Sequence, residues 1–355
     1  MQRLRKNSSL LLILTAIITI IIMIISCNDN PVAPGNEPPP GRRDYTWTVD
    51  TLAIPFMSFN RIWGSSPQDV WIVGPGGDLD KTIYHYDGSS WQTDGISRPV
   101  SPACVWGFAE NNVWIGGLNG KIWHYDGSSW VEDTMFVRPR ETEIGFQEIW
   151  GDSPKNLFAA GFSGFEDLET RIAVLAHYDG NSWELTEFDS LKNYNFLRIR
   201  RNTEQSNKYY IQAIKDQRFT GDLFSLFEYK GEDNINLIYE GPIGNNTSAF
   251  LQEIDNEMFF VIGKSINKYT NNEFKTIIQI PFPNFGNQIF GKTKNDIFLR
   301  MTDGIAHYNG SNIEYIYNFE GRISITDAVL FENEVFFLAF DISNGNDLIY
   351  HGKLN

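Results

Sequence analysis

Residues 105–130 read VWGFAENNVWIGGLNGKIWHYDGSSW, and this stretch occurs in three close copies along the chain. Residues 62–74 read IWGSSPQDVWIVG and are followed by TIYHYDGSSW, which ends at Trp91. Residues 149–161 read IWGDSPKNLFAAG and are followed by LAHYDGNSW, which ends at Trp183. Self-similarity at a period of about 40 residues is the signature of a repeat architecture. The copies therefore predict one structural unit repeated side by side.

Each copy predicts four short strands, which we label A to D. The IWG run forms strand A, the alternating DVWIVG run forms B, the IWHYDG run forms C, and the following Trp begins D. The Asp-Gly step marks a tight C–D hairpin, and SSPQ or DSPK marks a turn between A and B. No segment of the body has helical periodicity. The sequence predicts an all-β fold, a β-propeller of four-stranded antiparallel blades.

Seven blades are expected from a tyrosine that recurs in strand C at spacings of 39 to 53 residues, at Tyr86, Tyr125, Tyr178, Tyr229, Tyr269, Tyr308 and Tyr350. The last copy lacks a D strand, whereas TWTVDTLAI around Trp47 resembles one. An N-terminal strand that completes the last blade removes its exposed edge. Six or eight blades remain alternatives, because the fourth copy is strongly diverged.

The repeat resembles two known kinds of sequence. Gly116-Gly117, Tyr125-Asp126 and Trp130 resemble the kelch pattern, although most copies here lack the glycine pair. The copies are more similar to the WGSS…DVW…HYDGSSW repeats of a family of bacterial surface lipoproteins, over the whole body of the chain. This resemblance implies a propeller and little about activity. The Asp-box of sialidase-like propellers needs D-x-G-x-x-W, and the order D-G-S-S-W found here departs from it.

The N-terminus predicts export and lipid anchoring. A basic start precedes an apolar run from Leu10 to Ile25, which is too short for a typical membrane span. The Ser26-Cys27 step that follows resembles a bacterial lipoprotein signal, which implies cleavage before Cys27 and attachment of diacylglycerol to its sulfur. An uncleaved single-span anchor is the alternative. We expect a signal peptide at 1–26, a lipidated, proline-rich tether at 27–44 and the propeller at 45–355.

Asn28 follows the lipidated position, where an Asp would typically retain the protein in the inner membrane, so the outer membrane is expected. The leaflet stays open. The chain has 29 Lys and Arg against 44 Asp and Glu, a net charge of −15, and loss of three basic residues with the signal gives −18. This charge repels phosphate backbones and argues against nucleic acid as a partner. Cys104 is then the only thiol, and no Cys/His spacing predicts a disulfide, metal or cofactor site.

Recurrent side chains are expected to be structural. Four histidines fall at one repeat position and a fifth lies beside it, which predicts a hydrogen bond within the blade: His85, His124, His177, His307 and His351. The tryptophans that begin strands are expected to pack between blades. Asp87, Asp126 and Asp179 are expected to bond nearby backbone amides in the turns.

Function is expected where the copies differ, on the face formed by the B–C and D–A connections. The B–C insertions there offer Asp78, Asp80, Phe162 and Phe165. Counting back from strand B predicts a polar ring at the channel mouth, made of Arg61, Cys104, Glu148, Arg198, Glu253, Gln288 and Thr326. Arg200-Arg201 replaces the usual Trp-Gly, which breaks a packing rule and adds Arg200 to the candidates.

Three functions fit these observations. The first is a non-catalytic module or scaffold of the cell envelope, which is anchored by lipid and binds a protein or a polysaccharide. The second is a glycan-active hydrolase or lyase, for which Glu148 and Glu253 are the only ring carboxylates, two blades apart. The third is an outer-membrane assembly subunit, which predicts an exposed apolar patch.

Overall fold

A computed structural model describes residues 37–137, 144–164, 171–202, 208–217, 220–231, 234–244 and 247–355. Pro40–Asn355 forms one compact unit. Within the described residues, 28 strands form seven four-stranded antiparallel sheets, and no α-helix occurs. The one helical turn in these ranges is a 3₁₀ segment, Leu79–Lys81. The fold is a seven-bladed β-propeller, as the repeat predicts.

The strand β1 (Tyr45–Leu52) comes first in the chain and belongs to the last blade. The first three blades contain β2 (Arg61–Ser66), β3 (Asp69–Val73), β4 (Ile83–Tyr86), β5 (Trp91–Gln92); β6 (Pro102–Ala109), β7 (Asn112–Gly117), β8 (Lys121–Tyr125), β9 (Trp130–Met135); and β10 (Ile144–Ser153), β11 (Asn156–Ser163), β12 (Ile172–Tyr178), β13 (Trp183–Lys192).

The fourth to sixth blades contain β14 (Tyr194–Asn202), β15 (Lys208–Lys215), β16 (Leu223–Tyr229), β17 (Ile235–Pro242); β18 (Ala249–Ile254), β19 (Glu257–Ile262), β20 (Ser265–Thr270), β21 (Glu273–Gln279); and β22 (Phe285–Thr293), β23 (Asp296–Met301), β24 (Gly304–Tyr308), β25 (Ile313–Asn318). The seventh contains β26 (Ile323–Leu330), β27 (Glu334–Asp341), β28 (Asp347–Leu354) and β1.

The seam of the ring lies in the seventh blade, where the two ends of the chain share a sheet. β1 pairs antiparallel with β28, and Trp47 lies opposite Gly352. A Cβ atom added at Gly352 would lie 2.9 Å from the Trp47 ring, so this position needs a glycine. The predicted closure by an N-terminal strand is therefore confirmed, and it leaves β28 without an open edge.

The core lies between neighbouring blades. The innermost strands contact one another in ring order, and β2 contacts both β6 and β26. One cluster joins Trp63 and Trp71 of the first blade to Val105, Val113 and Trp130 of the second. Because each sheet presents apolar residues on both faces, a blade is buried only when two neighbours flank it.

The C–D hairpins are held as predicted. The Asp87 Oδ1 accepts hydrogen bonds from the backbone N–H groups of Ser89 and Ser90, at 2.9 Å each. Hydrogen bonds from the Ser89 hydroxyl and these two N–H groups lower the pKa of Asp87 to about 2. The same turn recurs at Asp126, Asp179 and Asn309.

Each histidine joins strand C to the first residue of strand B, which confirms the predicted hydrogen bond. The Nε2 atoms lie 2.7–3.0 Å from side-chain oxygens in the pairs His85–Asp69, His124–Asn112, His177–Asn156, His307–Asp296 and His351–Glu334. Four of the rings also stack on an aromatic side chain of strand B, with centroids 3.9–4.4 Å apart. We call this contact the B–C clasp.

Candidate functional site

Strand register defines the ring of side chains at the channel mouth. In the first blade Arg61 pairs with Val73 of strand B, and the equivalent strand A positions hold Cys104, Glu148, Arg198, Phe250, Gln288 and Asp327. Two predicted ring members are therefore wrong. Strand A of the fifth blade pairs without a bulge, which puts Phe250 in the ring and Glu253 three residues beyond it. The seventh blade lacks the bulge that the first, second, third and sixth blades have next to the A–B turn, so Asp327 takes the place predicted for Thr326.

Two ring carboxylates fasten one blade to the next. The Glu148 Oε2 accepts hydrogen bonds from the Ile199 N–H at 2.6 Å and from the Arg200 Nη1 at 2.8 Å. The Asp327 Oδ2 accepts one from the Ile62 N–H at 3.3 Å. Burial raises the pKa of Asp327, against the opposing charges of Arg61 and Arg198. Both carboxylates therefore accept hydrogen bonds from the neighbouring blade.

Arg200 lies in the core, and the structure explains why it replaces the usual Trp. Its guanidinium lies 5.8 Å from the centroid of Trp150 and bonds Glu148 and its own neighbour, the Ile199 carbonyl. The side chain does not line the mouth cavity described below. The Arg200 side chain therefore packs between blades at the position that a Trp occupies in the clear copies.

A cavity of about 250 Å³ lies at the channel mouth, where strands A begin, and we call it the mouth cavity. Three arginines line it: Arg61, Arg198 and Arg300. Leu197, Phe224 and Phe250 form an apolar wall, and Gln288 and Thr326 also belong to the lining. No carboxylate belongs to the described lining residues. A cationic cavity in a chain of net charge −15 is a local reversal of the overall charge.

The three arginines differ in how they are held. Arg198 lies 4.6 Å above the Phe250 ring, donates to Gln252 at 3.1 Å, and its Nε lies 3.7 Å from Glu148. Burial lowers the pKa of Arg198 to about 10, although Glu148 opposes this shift. Arg61 bonds the backbone carbonyls of Asn60 and Gln147.

Arg300 bonds the side chains of Gln288 at 3.3 Å and Ser324 at 3.0 Å, and burial lowers its pKa. Among the described residues, neither Arg61 nor Arg300 has a carboxylate within salt-bridge distance. The Nε of Arg61 is buried without a hydrogen-bond acceptor in the same set. Both guanidinium groups therefore retain capacity to bind an anion.

The remaining predicted site residues lie elsewhere. Cys104 is a core residue, 1% exposed, and burial raises the pKa of its thiol to about 12, so its assignment to a polar ring is wrong. Phe162 is buried beneath the Arg171 guanidinium, 4.9 Å from its ring centroid, and is not an exposed loop aromatic. Asp78 is exposed and Asp80 half-buried in the B–C connection of the first blade, outside the mouth cavity. Phe165 lies outside the described residues.

Sequence reasoning missed Arg300 and Phe56. Arg300 takes the strand B position that is Val73, Gly116 or Ala160 in the clear copies. A charged residue in place of a small or apolar one could have identified it from the sequence. Phe56 lies in the D–A connection before β2, beside the Met57–Gly76 bridge, and is 93% exposed with a φ of +63°. A bulky residue in the left-handed region is strained, and such strain is typical of functional loops.

No group of three or more His, Cys, Asp or Glu residues in the described ranges could hold a metal ion. No helix in the same part of the chain is both long and apolar enough to cross a membrane.

Solved structures resemble the fold at low sequence identity. YCF48 bound to a D1 peptide matches with a TM-score of 0.59 and 12% identity, over 89% of this chain and 98% of that one. The extracellular domain of a one-component system from B. thetaiotaomicron matches with a TM-score of 0.54 and 16% identity, over 85% and 40%. The WD40 propeller domain of Doa1 matches with a TM-score of 0.54 and 9% identity, over 87% and 97%.

No protein-family model and no curated protein sequence matches the chain. The structural matches establish the β-propeller fold.

Proposed function

We propose that this protein is a non-catalytic binding module of the cell envelope, and that its mouth cavity takes an acidic segment of a partner protein. The observation that carries the proposal is the set of three arginines around a cavity without a lining carboxylate. An arginine that keeps unused N–H donors binds a carboxylate strongly, because charge and planar geometry both match.

The apolar wall adds a second requirement. Phe224, Phe250 and Leu197 lie in the same cavity as the arginines. A free inorganic anion would leave this wall uncovered, whereas a peptide can place a carboxylate on the arginines and an apolar side chain against the wall. We therefore favour a peptide segment over a small ion. The match to a propeller that holds a peptide, YCF48 with a D1 peptide, is consistent with this choice.

The non-catalytic part of the proposal is supported by the positions of the two glutamates. Glu148 is buried and bonded to Ile199 and Arg200, so it is not presented to a substrate. Glu253 pairs in the sheet with Met258, outside the ring, and burial raises its pKa. Turnover of any polysaccharide that is lost in Glu148→Gln would overturn the proposal that the protein is not an enzyme.

Envelope anchoring rests on the sequence around Cys27, which lies outside the described residues. We propose that Cys27 carries the lipid and that the protein is held at the outer membrane. Labelled palmitate should be incorporated into the wild type and not into Cys27→Ala. Absence of label from both proteins would favour an uncleaved membrane span.

A peptide selection tests the binding function. Displayed random peptides selected on the full chain in detergent should be enriched in acidic residues next to an apolar one. A selected peptide should bind Arg61→Gln and Arg300→Gln at least tenfold more weakly, and its affinity should fall as salt is raised.

The matched control is Arg322→Gln, which removes an exposed arginine from the D–A connection of the same face, outside the cavity. This variant should bind like the wild type. Enrichment of neutral or basic peptides, or equal binding by all three variants, would contradict the proposal.

A further inference from the structure

The D strands contain a second repeat feature, a Trp followed three residues later by an Asp. This pattern occurs at Trp47 and Asp50, Trp91 and Asp94, and Trp130 and Asp133. In two cases the Asp accepts a hydrogen bond from the indole of the next blade. The Trp91 Nε1 donates to Asp50 at 3.2 Å, and the Trp183 Nε1 donates to Asp133 at 2.9 Å. The indole–carboxylate bond thus closes the outer part of two blade junctions.

The junction between the first and second blades breaks this rule. By the repeat, Asp94 should accept from the Trp130 indole, but the outer strand β5 ends at Gln92 after two residues. Asp94 instead pairs with Arg98, whose Nη1 lies 3.0 Å from Asp94 Oδ1. Burial opposes ionisation of Asp94, but the hydrogen bonds from Arg98 and the Ile96 N–H, together with the charge of Arg98, lower the pKa of the carboxyl. Among the described residues, the Trp130 indole N–H has no hydrogen-bond partner.

A cavity of about 460 Å³ opens where this junction fails to close, and we call it the junction cavity. Trp130 lines it together with Trp71, Tyr125, Gln92, Asp94 and Arg98. The volume lies within the range of small-molecule sites. The cavity shares no lining residue with the mouth cavity among the described residues, so it is a separate site.

The lining chemistry selects the kind of ligand. Asp94 and Arg98 neutralise each other, so the cavity offers no net charge to an ion from this pair. The remaining groups pair donors with acceptors: the indole N–H of Trp130, the amide of Gln92 and the hydroxyls of Ser128 and Ser129. Aromatic rings provide an apolar wall beside them.

We propose that the junction cavity binds an uncharged carbohydrate of one or two sugar units. A sugar hydroxyl both donates and accepts, so it can bond the carboxylate of Asp94 and the guanidinium of Arg98 at once. The C–H face of a sugar ring packs on an aromatic side chain, here Tyr125 or Trp130. A peptide of charged character would instead have to compete with the Asp94–Arg98 pair.

Fluorine NMR of the full chain in detergent tests this site. The chain has ten tryptophans, and 5-fluorotryptophan labelling gives one resonance for each, with Trp130→Phe identifying that of Trp130. Cellobiose, maltose and N,N′-diacetylchitobiose are the neutral probes, and glucuronate and glucosamine are the charged ones. At least one neutral disaccharide should shift the Trp130 resonance in a saturable way and leave that of Trp183 unchanged.

Variants then separate binding from folding. Asp94→Asn, Arg98→Gln and Gln92→Ala should each weaken the Trp130 response, the first two at least tenfold. Gln92 is exposed, so its truncation should leave the fold intact even if a change at buried Arg98 does not. The matched control Asp133→Ala removes the acceptor of the Trp183 indole at a closed junction and should bind sugar at Trp130 like the wild type.

Three results would overturn the proposal. The first is no Trp130 shift with any neutral disaccharide. The second is a stronger response to glucuronate or glucosamine than to the neutral probes. The third is equal affinity in the wild type and in Gln92→Ala and Asp94→Asn. None of them bears on peptide binding at the arginines of the mouth cavity, which is measured separately.

Discussion

The second and fourth blades occupy equivalent places in the ring with different residues. In the second blade Trp106 packs against Trp150 of the third, with ring centroids 6.3 Å apart. In the fourth blade Arg200 takes the Trp position, lies over the same Trp150 and bonds Glu148. One junction is thus closed by two aromatic rings and the other by a buried ion pair on an aromatic ring.

The B–C clasp shows the same substitution of chemistry. The second blade uses His124 and Asn112, whereas the fourth uses Lys208 on strand B and Glu228 on strand C, 2.9 Å apart. The fifth blade has the opposite arrangement of charges, with Glu257 on strand B and Lys268 on strand C, and its Nζ–Oε2 distance is 2.7 Å. The comparison indicates that the repeat keeps a contact between two positions, while the residue types that make it can change.

The largest expected effect comes from breaking the ion pair of the fourth blade. Glu148→Ala leaves Arg200 and the Ile199 N–H buried without their acceptor, and should lower the free energy of unfolding by about 3–5 kcal/mol. Chemical denaturation measures this. Arg200→Trp combined with Glu148→Gln should recover part of the loss, because it restores the pairing of the second blade and an acceptor for Ile199. Glu273→Ala, at an exposed position whose side chain has no ion-pair partner among the described residues, should change stability by less than about 0.5 kcal/mol.

The seam blade should add a pH dependence to stability through Asp347. Burial raises the pKa of Asp347 to about 7, and its Oδ1 accepts a hydrogen bond from the Phe59 N–H at 3.0 Å. An unfolded Asp titrates near 4, so the fold prefers the protonated form, and this contribution to stability is lost as the pH rises from about 4 through 7.

Asp347→Asn keeps the acceptor and removes the charge. At pH 8 it should be more stable than the wild type by on the order of 1–3 kcal/mol, and at pH 4 the two should be alike. Denaturant midpoints across this range measure the difference. A constant difference between the two proteins from pH 4 to 8 would show that Asp347 does not titrate there.

In the B–C clasp of the fourth blade, reversing the charge of one partner should destabilise the protein, whereas exchanging both charges should be tolerated. Glu228→Lys places three cations together, because Lys208 and Lys230 both contact Glu228, and should cost about 1 kcal/mol. Adding Lys208→Glu should recover most of that cost, since the fifth blade already has this arrangement. A double variant no more stable than the single one would refute the view that position, more than residue type, defines the clasp.

The smallest expected effect concerns Phe56. Phe56→Gly removes the cost of a left-handed conformation, offset in part by the entropy of glycine, so stability should rise by up to about 1 kcal/mol. Capture of the partner peptide or protein should not improve, because the variant removes an exposed aromatic from the binding face. Thermal unfolding and peptide affinity are measured on the same preparation, with Leu79→Ala as the control on the neighbouring loop.

Part of the fold and of the site was readable from the sequence. The clear copies of the first three blades, the tyrosine spacing and the orphan D strand around Trp47 predict the blade number and the seam, because each follows from local periodicity. Arg61, Arg198 and Gln288 were also placed at the mouth correctly. Cys104 has the ring register but is buried in the core, and Glu253 lies three residues beyond the ring, because strand A of the fifth blade lacks the bulges of the clear copies.

By itself, the sequence determined that this chain forms a ring of four-stranded sheets and that its ends share one blade, because alternating apolar residues and Asp-Gly turns act within a blade. Only the tertiary structure decided that Arg300 joins Arg61 and Arg198, and that Asp94 turns to Arg98 instead of Trp130. Those contacts join residues of different strands, blades and loops, and their geometry depends on register and strand length, which no local pattern encodes.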